Sequence, residues 1–112
     1  VEQLRGDWLT QGPTVARFEA ALAEHTGARF AVAVSSGTAA LHLAALAAGV
    51  RPGVGAVTST ITFVASANSV RYAGGTPALA DVDPATALVS VASMREQAAR
   101  LEAAGHRPRV FI

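Results

Sequence analysis

Apolar positions in this chain fall into short blocks that switch between the periodicity of strands and that of helices. The run 30–34 has the length and the β-branched content of a buried strand. Other blocks place apolar residues three and four apart and end at glycine, which predicts helices. The predicted helices cover 13–25, 39–48, 63–73 and 91–104, and the predicted strands cover 30–34, 56–59, 109–112 and a segment 76–84 that ends in an Asp-Pro turn.

Strands that alternate with helices predict an α/β fold. Right-handed crossovers would give a mostly parallel, three-layer arrangement with helices on both faces of the sheet. The helix at 39–48 is apolar nearly all round, which predicts that it is buried against both the sheet and a partner. Thr62 is predicted to cap the third helix. The chain of 112 residues is the right length for one domain.

A candidate anion site lies between the first predicted strand and the second helix, at Ser36, Gly37 and Thr38. The first N–H groups of a helix lack partners and the helix dipole is positive there, so a phosphate can bind. Gly37 allows the backbone to approach a ligand, and the Ser36 and Thr38 hydroxyls can add donors. An ordinary serine N-cap explains the same residues.

Three further side chains are candidates for chemistry or for structure. Phe63, at the start of the third helix, is either a core residue or an aromatic lid over a flat cofactor. Asp81 and Asp83 lie at alternate positions near the end of a strand. No histidine accompanies them, so a turn-capping role is favoured over a metal site, and no metal ligand set is predicted.

Composition narrows the classes of partner. Apolar residues make up 51% of the chain and charged residues 15%, with a formal net charge of +1. The dispersed basic residues suggest neither nucleic acid nor a membrane surface. The chain contains neither cysteine nor lysine. No apolar run has membrane-spanning length and no signal-peptide pattern is present, so a cytoplasmic location is expected.

Five segments spread over almost the whole chain share an order and spacing with a known family. They are 9–13, 18–19, 31–43, 61–68 and 75–84. In these segments the chain resembles the sugar-nucleotide aminotransferases of the DegT/StrS type. Their sequence is most similar to the branch that aminates UDP-4-keto-6-deoxy-N-acetylhexosamines, as in pseudaminic acid synthesis.

The resemblance implies a fold-type I pyridoxal-phosphate enzyme that works as a homodimer with a shared active site. By position, Ser36, Gly37 and Thr38 would hold the cofactor phosphate, and Phe63 would stack on the pyridine ring. Substrate-binding positions are also implied, by the same matching, at Thr10, Gln11, Gly12 and Asn68. Asp81 and Asp83 match the family as structural residues.

The implied reaction moves an amino group from glutamate to a keto sugar nucleotide. For this reaction, members of the family use a lysine that binds the cofactor covalently and moves protons. This chain has no lysine and no assigned catalytic residue. Residues 1–112 are therefore expected to be an incomplete amino-terminal part of the cofactor-binding large domain, inactive alone. The segment 51–56 departs from the family, which usually has an acidic pair there.

Two other interpretations remain open from the sequence. One is a non-catalytic remnant or binding module that retains a phosphate site without a reaction. The other is a different fold-type I pyridoxal-phosphate enzyme, such as a lyase, with a similar Ser-Ser-Gly-Thr turn. The segment 9–13, Leu-Thr-Gln-Gly-Pro, argues against the lyase.

Overall fold

The computed structural model of the protein describes residues 3–6 and 8–112. They form two compact units, one ending at Ser35 and one comprising Ser36–Ile112. The first unit holds one long helix, and the second holds a sheet with helices on both faces. Within the described ranges, no helix is long and apolar enough to cross a membrane.

The first unit is built around helix α1, Pro13–Thr26, which follows a short 3-10 helix at Gln3–Arg5. Gly12 is the N-cap, and Pro13 takes the first helical position, where its missing N–H leaves no hydrogen bond unmade. Gly27 ends the helix in the left-handed region, with φ of 69°. These bounds confirm the predicted start and end of the helix.

Residues 30–34 do not form the strand that their composition predicts. Their exposure alternates as in a strand: Phe30 and Val32 are 78% and 72% exposed, whereas Ala31 and Ala33 are half-buried. A strand also needs a neighbour that takes its backbone hydrogen bonds. The described part of the first unit contains no strand that pairs with this segment, so the prediction is wrong there.

A sheet of three parallel strands forms the centre of the second unit. The strands are β1 at Val54–Ser59, β2 at Thr76–Ala80 and β3 at Arg107–Phe111, and they correspond to three of the four predicted ones. Their order is β2-β1-β3, which leaves β1 in the middle, and every residue of β1 except Ser59 is buried.

Helices cover both faces of this sheet, as predicted. They are α2 at Gly37–Ala47, α3 at Ala65–Tyr72 and α4 at Val91–Ala103. Neighbouring residues of β1 point to opposite faces, and each belongs to a different core cluster. Ala56 packs with Ala45 and Val70, on the side of α2 and α3. Val57 packs with Leu101, on the side of α4.

Helix α2 packs against its own unit along one side, as predicted, and its other side is exposed in the described chain. Ala45 is its one buried residue, while Leu43 and Leu46 are 47% and 46% exposed. Within the described chain, therefore, only one stripe of the helix is covered. The glycine that ends it is as predicted: Gly49 has φ of 83°.

Helix α3 begins later than predicted. Its N-cap is Val64, without a side-chain hydrogen bond, rather than Thr62. The Thr62 hydroxyl instead lies 3.1 Å from the Ser66 hydroxyl, a side-chain contact that competes with capping. Phe63 therefore belongs to the connection before the helix. Helix α4 confirms its predicted cap, because the Ser90 hydroxyl accepts from the Ser93 amide.

Strand β2 ends at Ala80, before both aspartates. The Asp83 carboxylate accepts from the Ala85 amide at 2.7 Å, which closes a turn, and Val82 forms an isolated antiparallel bridge with Val89. The favoured turn role of Asp83 is thus confirmed. Among residues 3–6 and 8–112, no group of three metal-ligating side chains is present.

Candidate functional site

The turn before α2 leaves backbone donors free. The Ser36 hydroxyl accepts from the Ala39 amide at 3.2 Å, so Ser36 is an N-cap, as the simpler interpretation has it. Its carbonyl accepts from the Ala40 amide. Within the described chain, no group accepts a hydrogen bond from the amides of Gly37 and Thr38 or from the Thr38 hydroxyl. A capped helix start with two free amides can still bind an anion.

The space in front of this turn is open. A Cβ added at Gly37 would meet no protein atom within 4 Å. The helix start is therefore not packed against its own unit, and a ligand can come close to the backbone there. The residues present fit a phosphate group.

Phe63 is not a core residue. Its side chain is 70% exposed, so it lies outside the core of the second unit in the described chain. Its connection is nevertheless held in place, because the Thr60 amide donates to the carbonyl of Ala80 at the end of β2. The Ser66 amide donates to the carbonyl of Phe63 itself. An exposed aromatic ring on an anchored backbone is available to stack on a planar ligand.

Helices α2 and α3 run in the same direction, because their C-terminal ends meet. Pro52, just after α2, lies 3.0 Å from the position of a Cβ on Gly74, just after α3. The ring of His42, in the middle of α2, meets the ring of Tyr72, the last residue of α3, edge to face at 5.7 Å. Each helix leads into one of two parallel strands, β1 and β2, so both helices begin at the edge where these strands end. The Ser36–Thr38 turn and Phe63 therefore lie at the same edge of the sheet.

Asn68 lies in the middle of α3 and is half-buried. Its amide N–H donates to the carbonyl of Val64 as part of the start of the helix. No side-chain hydrogen bond of Asn68 is found in the part of the chain that the structure describes. Asn68 is the fourth residue of α3, and it is less exposed than Phe63.

Thr10, Gln11 and Gly12 lie in the first unit. Gln11 has φ of 53°, a left-handed conformation that is uncommon for a residue with a side chain and is often found at functional sites. Gln11 and Gly12 line an open groove of about 650 Å³, whereas Thr10 is exposed outside it. The remaining lining residues are Val15, Ala16, Glu19, Ala33, Val34 and Ser35.

Sequence reasoning missed two contacts that shape these regions. The Glu19 carboxylate binds the Ala33 amide at the groove, and the Arg109 guanidinium binds the Ala48 carbonyl at the far end of α2. Both join residues distant in the sequence, so no local pattern reveals them. Sequence reasoning also missed the buried Thr58 hydroxyl, which has no hydrogen-bond partner in the described ranges, because its burial depends on residues distant in the sequence.

The sequence model of the DegT/DnrJ/EryC1/StrS aminotransferase family matches residues 1–104. The chain belongs to this family. The match takes in the free helix start, Phe63 and the groove of the first unit, so the resemblance seen in the sequence is confirmed at the level of the family.

Relatives of this DegT-family chain have names that refer to a polysaccharide or to a nucleotide sugar. The chain is 47% identical over 85 residues to the spore coat polysaccharide biosynthesis protein SpsC of Bacillus subtilis, covering 76% of this chain and 22% of that protein. It is 45% identical over 80 residues to GDP-perosamine synthase of Caulobacter vibrioides, covering 70% and 22%. It is 39% identical over 89 residues to UDP-4-amino-4-deoxy-L-arabinose–oxoglutarate aminotransferase of Shewanella sediminis, covering 80% and 23%.

Solved structures of family members share the fold. A DegT/DnrJ/EryC1/StrS aminotransferase from Brucella abortus matches with a TM-score of 0.76 at 31% identity, over 90% of this chain and 27% of that chain. Spr1654 of Streptococcus pneumoniae, described as a sugar aminotransferase and solved in a PLP form, matches with a TM-score of 0.78 at 28% identity, over 86% and 24%. This DegT-family chain is thus an α/β segment of the fold-type I aminotransferases, and it spans about a quarter of their length.

Proposed function

We propose that the protein carrying this sequence transfers an amino group to a keto sugar nucleotide, with pyridoxal phosphate as cofactor. The observation that carries the proposal is that the free amides of Gly37 and Thr38 and the exposed Phe63 lie at the same edge of the sheet. Membership of the family and the sugar-related names of three relatives support it.

In this proposal the phosphate of the cofactor binds at the start of α2. The amides of Gly37 and Thr38 donate to it, the Thr38 hydroxyl adds a third donor, and Ser36 holds the turn in shape through its cap. Phe63 stacks on the pyridine ring and shields one face of it from water. When bound, pyridoxal phosphate supplies the electron sink that lets an amino group pass between donor and acceptor.

The finer proposal concerns the substrates. We assign the substrate-lining role to Thr10, Gln11, Gly12 and, less directly, Asn68, with glutamate as the amino donor. The name of the Shewanella relative includes oxoglutarate, the keto acid that glutamate becomes, which supports that donor. For the acceptor we propose a UDP-4-keto-6-deoxy-N-acetylhexosamine, aminated at C4. A homodimer with a shared active site completes the proposal, as does a lysine from the rest of the protein.

The test uses the full-length protein and its variant Thr38→Val, which removes one donor and keeps the shape of the side chain. Pyridoxal phosphate binding is followed by its visible absorbance. We expect Kd to rise about tenfold in the variant, since one hydrogen bond to a charged group is lost. Ser90→Ala is the control, because Ser90 also caps a helix but lies at α4.

The acceptor is tested by mass spectrometry of the wild-type protein with glutamate and keto sugar nucleotides. An added amino group on the UDP-linked sugar supports the finer proposal, and amination of a GDP-linked sugar only would replace it. A protein that binds the cofactor but aminates no sugar nucleotide would contradict the assignment of the reaction. A protein that binds no pyridoxal phosphate would refute the proposed function as a whole.

A further inference from the structure

The far end of α2 is held by an arginine from strand β3. The Arg109 Nε donates to the carbonyl oxygen of Ala48 at 2.8 Å. The same nitrogen lies 3.3 Å from where a Cβ would stand on Gly49, so the guanidinium packs closely over this glycine. Ala48 is the C-cap of α2. A cation there satisfies a free carbonyl and matches the negative end of the helix dipole.

An irregularity in β3 accounts for the reach of this side chain. Pro108 pairs with Gly55, and Val110 pairs with the next residue of β1, Ala56. Arg109 is therefore an extra residue, outside the ladder. A bulge of this kind changes the direction of a side chain, and proline beside it removes a backbone donor that the ladder would otherwise use. The contact with Ala48 is thus built into the backbone of β3.

Most of the packing of α2 lies along one side of the helix. Ala45 is buried against the sheet, whereas Leu43 and Leu46 are about half exposed. The half-buried residues of the helix include Ala39, Leu41 and His42. Such packing is non-directional. A charge-assisted hydrogen bond from the sheet to the end of the helix adds a directional restraint.

We propose that Arg109 is a positioning residue for the cofactor phosphate. By holding the C-terminal end of α2 against β3, it sets where the amides of Gly37 and Thr38 stand relative to Phe63. The helix itself transmits the effect, since its hydrogen-bonded turns move together as a rod. This inference rests on the proposed function, because it concerns the same phosphate site.

Four variants of the full-length protein separate positioning from charge and from stability. Arg109→Ala removes the contact, and Arg109→Lys keeps a cation that can reach the carbonyl. Arg107→Ala removes the same charge from the same strand, where the side chain is exposed and has no hydrogen bond in the described ranges. Leu101→Ala weakens the core on the α4 face, away from α2. Pyridoxal phosphate affinity and the thermal midpoint are measured for each.

We expect Arg109→Ala to raise the Kd of pyridoxal phosphate about tenfold, the equivalent of one lost charge-assisted hydrogen bond. Arg109→Lys should recover part of that loss. Arg107→Ala and Leu101→Ala should stay within about twofold of the wild type, although Leu101→Ala lowers the thermal midpoint.

The inference is overturned if Arg109→Ala binds the cofactor as tightly as Arg107→Ala does. It is also overturned if Leu101→Ala loses affinity to the same extent, since general destabilisation would then explain the effect. Should Arg109→Ala not fold, Arg109→Met, which keeps the aliphatic chain and loses the donors, replaces it with the same expected rise. A wild-type protein without affinity for pyridoxal phosphate would refute the proposed function first and the inference with it.

Discussion

The carboxylate of Glu19 accepts a hydrogen bond from the backbone amide of Ala33, with 2.8 Å between Oε1 and the nitrogen. This contact joins α1 to the segment 30–34, whose backbone lacks a strand partner in the described first unit. The Glu19 side chain thus accepts one hydrogen bond that the backbone of a neighbouring strand would accept in a sheet. It also forms one wall of the groove that Gln11 and Gly12 line.

Removal of this carboxylate should loosen the segment. In Glu19→Ala the amide of Ala33 loses a charged acceptor, worth about 1.5–3 kcal/mol. Hydrogen exchange of a peptide covering residues 28–36 should therefore be about tenfold faster or more in the full-length protein. Glu24→Ala, an exposed position on the same helix, is the control. Equal exchange rates in the two variants would show that the contact does not hold the segment.

The buried hydroxyl of Thr58 should lower the stability of the sheet. Thr58 is 2% exposed and its Oγ1 has no hydrogen-bond partner in the described ranges. Valine has nearly the same shape without the polar atom, so Thr58→Val should stabilise the protein by about 1 kcal/mol. Urea unfolding measures this, with Thr60→Val, at an exposed position, as the control. A loss of stability in Thr58→Val would mean that the hydroxyl has a partner after all.

A close approach between β1 and α4 requires glycine at position 55. A Cβ there would lie 2.7 Å from Cδ1 of Leu101, which is buried. Gly55→Ala should therefore destabilise the protein by about 1–3 kcal/mol through overpacking. Adding Leu101→Ala should remove the clash, so the double variant should be more stable than the sum of the two single changes predicts. Additive losses would exclude this clash as the cause.

Replacing Phe63 should weaken the binding of pyridoxal phosphate without lowering the stability of the protein. Because the ring is 70% exposed, Phe63→Ala should change the free energy of unfolding by less than about 0.5 kcal/mol. The same variant should weaken pyridoxal phosphate binding by about tenfold, since stacking on the ring is lost. Val70→Ala, at a fully buried position, should show the reverse pattern. A large loss of stability in Phe63→Ala would show that the Phe63 side chain packs in a core, which would contradict the prediction.

The parts of the fold that depend on local signals were predictable from the sequence. Glycine after a helix and proline at its first position marked the ends of α1, and Ser90 marked the start of α4, because caps act within one turn. Thr62 misled the prediction for α3. Its hydroxyl has a competing partner in Ser66, four residues later, so two local signals compete for the same hydroxyl.

The failures concern contacts with distant or absent neighbours. The run 30–34 has strand composition, but a ladder needs a second strand, which no property of the run itself supplies. The apolar sequence of α2 predicts two covered faces, and the described chain covers one of them, because the predicted partner is a separate molecule. At the candidate site, the turn at Ser36–Thr38 was predictable from its local pattern. The hydrogen bond from Arg109 to Ala48, at the other end of α2, was not predictable, because the two residues are distant in the sequence.

The central position of β1 has a consequence for the order in which the second unit folds. Gly55 stands opposite Thr76 on one side and Pro108 on the other, so the loop to β2 is less than half as long as the loop to β3. The shorter loop costs less chain entropy to close, and we expect β1, α3 and β2 to assemble first. In a pulsed hydrogen-exchange experiment, the amides of β2 should then become protected before those of β3. The bond from Arg109 to Ala48 would form in the last step, so helix α2 would reach its final position only when the sheet is complete.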